Sequence, residues 1–118
     1  MRIFLFCKDK LVGLTLTICL ALSACSGFEE QLIYNDAQRA HNKKKFDLAI
    51  QLYQKLLDDD PDNKIHPDNA NIRYDLGVAY IDIGERQKAQ HQVKELRRLK
   101  RADLAEQLEK LMMVAESL

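Results

Sequence analysis

The side chains able to do chemistry in this 118-residue chain are few: three cysteines, three histidines and a short run of aspartates. His41, His66 and His91 stand in separate stretches, with no spacing at which two of them could grip one metal ion, so each reads as a surface residue. Asp58-Asp59-Asp60-Pro61-Asp62-Asn63 offers alternating carboxylates at Asp58, Asp60 and Asp62, as the opening of a calcium loop does. Pro61 interrupts it, Asn63 stands where a glycine must make the turn, and Asn69 stands where a bidentate glutamate belongs. The run reads as a helix end followed by a solvated loop. No glycine-rich phosphate loop and no nucleophile–base pairing is present, so neither an enzyme nor a metal or other cofactor is expected.

The cysteines point to a different chemistry. Met1 to Lys10 is a short basic segment, and Leu11 to Ala21 is an uncharged run of 11 residues. Such a run suits the apolar core of a signal peptide and falls short of the roughly 20 residues needed to span a bilayer. It ends in Leu22-Ser23-Ala24-Cys25, which resembles the bacterial lipobox. The resemblance implies that residues 1–24 are a lipoprotein signal peptide and that Cys25 carries the covalent lipid, with residues 25–28 as a lipidated tether. Two or more acyl chains hold a protein firmly on a membrane, at about 0.8 kcal/mol per buried CH₂. Ser26, rather than an aspartate, follows the cysteine. For a Gram-negative source the resemblance then implies an outer-membrane, lipid-anchored protein facing the periplasm. Cys7 and Cys19 fall in the leader, so no free thiol and no disulfide is expected in the remaining chain.

Charge narrows the partner class. Removing Arg2, Lys8, Lys10 and Asp9 from the 18 basic and 18 acidic residues leaves 15 and 17 over positions 25–118. A mildly acidic body argues against nucleic acid, which is bound through a clustered positive surface. Two basic clusters do occur, Lys43-Lys44-Lys45 and the run Lys94, Arg97, Arg98, Lys100, Arg101. They read as solvated surface, or else as contacts for acidic partners or anionic head groups.

The elements that position these residues repeat at forty. Ala37 and Gly77, Ala49 and Ala89, and Leu56 and Leu96 are all forty apart. Small residues recur where helices must approach closely, and Leu48, Leu52, Leu56 with Ala49, Tyr53, Leu57 form i, i+4 ladders on one helical face. The spacing predicts helices over 29–43, 46–59, 69–83, 86–99 and 103–117, with Asp68 as the cap of the third. Lys45 to Pro61 looks like the second half of a tetratricopeptide repeat, and Leu76 to Gly84 like the first half of the next. The family unit is about 34 residues, so the polar stretch 63–69 accounts for the longer period. Asp36 replaces the usual leucine of the first unit, and Arg86 and Arg101 replace an aromatic and a proline in the second. Asp103 to Leu118 carries Leu104, Leu108, Leu111, Met112 and Ala115 on one stripe, as expected of a capping helix.

The expected fold is therefore all-α: a tetratricopeptide-like helix-turn-helix solenoid over residues 29–118, with two repeats and a C-terminal capping helix. Two repeats are fewer than the usual three, which makes self-association possible. In the family the first helix of each unit lines a concave groove for a partner peptide. Carried over by position, the groove residues are Gln31, Tyr34, Gln38 and His41 from the first unit and Asn71, Tyr74, Val78 and Ile81 from the second. The carboxylate clamp found in some members is absent, because Tyr34, Gln38, Tyr74 and Val78 hold those places. Similar small lipoproteins act as pilotins for secretins or as assembly factors for pili. The resemblance implies a membrane-anchored adaptor with a protein partner in an envelope or secretion system. The other reading is a permanent structural subunit of an outer-membrane-associated complex.

Overall fold

The structure, a computed structural model, describes residues 27–59 and 69–118. The expected leader, Cys25, His66, Asp60, Asp62, the expected cap Asp68 and the rest of the connection 60–68 lie outside the described residues. The chain divides into two units, Met1–Leu32 and Ile33–Leu118; of the first, only 27–32 is described, as helix.

Five helices and no strand occur among the described residues: α1 (residues 27–42), α2 (Phe46–Asp59), α3 (Asn69–Asp82), α4 (Arg86–Arg98) and α5 (Ala102–Ser117). None of them is long and apolar enough to cross a membrane. The helix already runs at Gly27, two residues before the expected start.

Three turns of one construction join the helices that pair in sequence. Residues 43–45, 83–85 and 99–101 each place their middle residue at positive φ: Lys44 at 61°, Gly84 at 78° and Lys100 at 61°. In each, the third residue donates its N–H to the carbonyl five residues back: Lys45 to Ala40, Glu85 to Tyr80 and Arg101 to Leu96, at 2.8, 2.8 and 2.9 Å. The middle residue donates to the carbonyl three back (Lys44 to His41, Gly84 to Ile81, Lys100 to Arg97). This pair of bonds is the Schellman closure, which satisfies the orphan carbonyls of a helix end. The third residue then accepts from an alanine four on, Ala49, Ala89 or Ala105, each with 0 % exposure. A larger side chain there would hold the two helices apart.

The core fills the space between these hairpins. The forty-residue pairs of the sequence are all inside: Ala37 and Gly77, Ala49 and Ala89, Leu56 and Leu96. On α2 the buried set is Ala49, Ile50, Tyr53, Leu56 and Leu57. Leu48 is turned out, because the inward face is centred on Ala49 and Tyr53 and not on the Leu48–Leu52 row. The α3 helix packs against α2, α4 and α5, so it is buried nearly all round, from Asn69 and Ala70 to Ala79 and Tyr80. Burial of each large side chain, such as Leu96 or Leu108, contributes about 1.5–3 kcal/mol.

The last helix lies against both α3 and α4 and covers the end of the second hairpin, as a capping helix does. Its inward face is Leu104, Ala105, Leu108 and Met112. Leu111 and Ala115, expected on that face, are exposed, and Ala105 takes their place. The turn fixes this rotation: it sets Ala105 directly over Arg101, and a helix that touches two neighbours needs a wider face one step round. Leu111, Met113, Val114 and Leu118 are left on the outside.

Candidate functional site

Of the expected groove residues, Tyr34 and His41 on α1 bond across to α3, each to an aspartate. Tyr34 on α1 donates its hydroxyl proton to Asp75 Oδ2 on α3 at 2.6 Å, and Gln38 Nε2 donates back to the Tyr34 oxygen at 3.0 Å. One step further along, His41 Nε2 lies 2.7 Å from Asp82 Oδ2. Both inter-helix pairs span 41 positions, one more than the repeat. Each α1 residue therefore meets the residue just after its own equivalent, and the two pairs stand two helical turns apart, about 10 Å along the axis.

Local packing explains why these side chains are held. The Tyr34 ring sits 6.2 Å from Tyr53 of α2, and the His41 ring meets Phe46 edge-on at 5.5 Å. Burial, reinforced by the hydrogen bond to Asp75 and its charge, raises the Tyr34 phenol above its ordinary value, so it is a proton donor at neutral pH. Burial likewise raises Tyr53, with Asp75 adding to it. Asp75 itself is pushed up by burial, while Tyr34, the charge of His41 and Gln38 pull it back down. A half-buried carboxylate with these three partners thus ties the first hairpin to the second.

The remaining groove residues have other surroundings. Tyr74, Val78 and Ile81 are half-buried and pack on the core from the α3 side, as Tyr34 does from α1. Gln31, Gln38 and Asn71 are exposed. Asp75 and Asp82 were not among the residues expected here. The signal was the pairing of Tyr74 with Asp75 and Ile81 with Asp82 at heptad spacing, which sets an acid beside each groove position.

Elsewhere the charged residues mostly neutralise one another. Of the basic run from Lys94 to Arg101, Arg97 pairs with Glu109 at 2.7 Å, Arg98 with Glu95 at 3.1 Å and Arg101 with Asp103 at 3.1 Å. The Arg101 hydrogen bond holds Asp103 below the usual carboxylate range. Arg86, standing where the family has an aromatic, forms an ion pair with Glu116 of α5. Among the described residues no group of three His, Cys, Asp or Glu could hold a metal ion.

One family model matches the chain, described as a tetratricopeptide repeat, over residues 40–111. No curated protein and no solved structure matches it significantly. The matched span covers more than half of the chain and runs from the end of α1 into α5, taking in all three repeated turns. With the two hairpins and the capping helix packed as that repeat packs, the chain belongs to the tetratricopeptide repeat family.

Proposed function

We propose that this protein is a tethered adaptor: a lipoprotein anchored through Cys25 on the periplasmic side of an outer membrane, holding a protein partner during assembly of an envelope complex, in the manner of a pilotin. The family supports a role in protein–protein interaction. The observation that carries the reading is the α1/α3 face, where Tyr34, Gln38, Tyr74 and Val78 form an aromatic and amide surface on a rigid pair of helices. Such a surface takes a partner segment by stacking and area burial.

Crosslinking in intact cells, followed by purification from membranes and mass spectrometry, tests it. Recovery of a secretin, pilus or secretion component supports the adaptor reading, and recovery of this chain alone sinks it. Tyr74→Ala is expected to weaken capture more than Lys44→Ala, and equal losses would move the partner off this face. Cys25→Ala is expected to leave the protein without lipid; unchanged mass and membrane retention would remove the anchor. The reading as a permanent subunit draws on Leu111, Met113, Val114 and Leu118, exposed on α5 where a further helix of a larger assembly could pack.

A further inference from the structure

The side of α3 opposite Asp75 and Asp82 carries Arg73, Leu76 and Tyr80, which line a recess of about 450 Å³ bounded by α2, α3 and α4. That volume is in the range of small-ligand pockets. Leu57, Leu76 and the Tyr80 ring give it an apolar floor. Its polar wall is rich in donors. Gln54 Nε2 donates to the Tyr80 hydroxyl at 2.7 Å, and a hydroxyl that accepts still has its own proton to give. Burial, with the charge of Glu85 adding to it, raises this phenol, so the proton is present at neutral pH.

The opposite wall belongs to α4. Arg73 is only 8 % exposed; its Nη1 donates to Oε1 of the equally buried Gln92 at 3.5 Å, and its Nη2 faces Glu95 at 3.8 Å. These contacts hold the guanidinium against α4 and turn the Gln92 carbonyl toward it, so the NH₂ is the other polar group of that amide. The Lys88 ammonium stands 5.7 Å from the Tyr80 ring centroid at the same mouth.

We propose that this α2–α3–α4 recess is a second binding site, which takes a carboxylate-bearing segment of a partner protein. The donors are the Tyr80 hydroxyl, the Gln92 amide and the Lys88 ammonium, and Arg73, which faces Glu95, serves to orient the Gln92 amide. A carboxylate is acceptor-only and offers two oxygens, the complement of this set. Asp58 on the α2 wall disfavours a second negative charge and suits a backbone N–H, which selects a single acidic residue in a peptide over a dianion such as phosphate. The site shares no residue with the α1/α3 face, so either can stand without the other.

The test uses the full chain in detergent, labelled for NMR and titrated with acetyl-Gly-Glu-Gly-amide, its glutamine counterpart and inorganic phosphate. The expected result is saturable shifts of the Gln54 and Gln92 side-chain amides with the glutamate peptide. The loss of one charge-assisted bond in Lys88→Gln, or of the donor in Tyr80→Phe, is expected to weaken binding about tenfold. Both variants leave Arg73 in place, and unchanged spectra elsewhere show that the fold is kept. Equal affinity for the two peptides, shifts confined to α1 and the Asp75 side of α3, or wild-type affinity in both variants would overturn the site. Phosphate binding more tightly than the peptide would overturn the assignment to a protein segment.

Discussion

Ala37 in the first hairpin and Gly77 in the second hold the same place in the repeat, yet what stands against each differs. From Ile33 onward α1 contributes Ala37 and Ala40 to the core, while Asp36 points outward and pairs with Arg39 at 3.1 Å. The matching residue of α3, Leu76, is 2 % exposed, because α3 has α2 on one side and α4 and α5 on the other. Gly77 lies so close to α5 that a Cβ there would run into the Leu108 side chain. The same motif position is thus permissive at the edge of the stack and strict in its middle. Place in the stack, more than the motif, decides which residue types a position accepts.

Exchanging the two residues that mark this contrast gives the largest expected effect. Leu76→Asp puts a carboxylate where a side chain only 2 % exposed packs between helices, and is expected to cost about 4 kcal/mol or more, enough to abolish the folded state. Asp36→Leu, which restores the family residue, is expected to change stability by no more than about 0.5 kcal/mol. Urea unfolding followed by circular dichroism measures both, and similar costs at the two positions would end the comparison.

Gly77→Ala comes next. The added methyl group forces Leu108, itself fully buried, out of its place; overpacking of this kind costs about 1–3 kcal/mol, set against a gain of up to about 1 kcal/mol in helix propensity. A net loss of about 1–2 kcal/mol is expected. The pair Gly77→Ala with Leu108→Ala should lose less than the two single changes added together, since the cavity of one accepts the methyl of the other. Strict additivity would mean that α5 does not close on Gly77.

Much of this was legible in the residues themselves. The apolar spacing placed all five helices within two residues of their described ends, and the forty-residue pairs Ala37/Gly77, Ala49/Ala89 and Leu56/Leu96 all fell in the core. Two things were not legible. The outward turn of Leu111 depends on the rotation that the 99–101 turn imposes on α5, and i, i+4 counting admits two adjacent stripes there. The Tyr34–Asp75 and His41–Asp82 pairs depend on a stagger of one residue between hairpins, a tertiary quantity that a repeat of forty conceals. Those pairs occupy the face where the partner-binding residues were expected, so position-by-position transfer found the α1 halves and passed over the acids that hold them.

The α1/α3 ladder gives the third contrast, since Asn35 stands in the first hairpin where Asp75 stands in the second. Tyr34→Phe deletes the donor to a half-buried carboxylate and is expected to cost about 1–2 kcal/mol at neutral pH. Asp75 is raised by burial in the folded state, so the native protein binds this proton more readily than the unfolded chain. Its contribution to stability is therefore greatest at low pH and is lost as pH rises through the folded value. Without the Tyr34 bond the folded value rises further, so Tyr34→Phe should steepen this dependence and Asp75→Asn should remove it. Melting temperatures recorded from neutral pH down to the ordinary carboxylate range read the slope, and parallel curves for wild type and Asp75→Asn would show that the carboxylate does not titrate with folding.

The smallest effect lies in the turns and runs in the opposite direction. Gly84 occupies its left-handed conformation without a Cβ clash, whereas Lys44 and Lys100 hold the same closure at φ 61° with full side chains. The clash of Cβ with the following carbonyl costs a residue about 1–2 kcal/mol, part of which glycine gives back through the greater freedom of its unfolded chain. The Lys44 side chain is exposed. Lys44→Gly is therefore expected to stabilise the protein by about 0.5–1 kcal/mol, and Gly84→Ala to destabilise it by about 1 kcal/mol. The urea midpoint should move up for the first and down for the second with the slope unchanged. If Lys44→Gly instead lowers the midpoint, the lysine stem makes a contact that outweighs its backbone strain, and the three turns, alike in their hydrogen bonds, would differ in what keeps them closed.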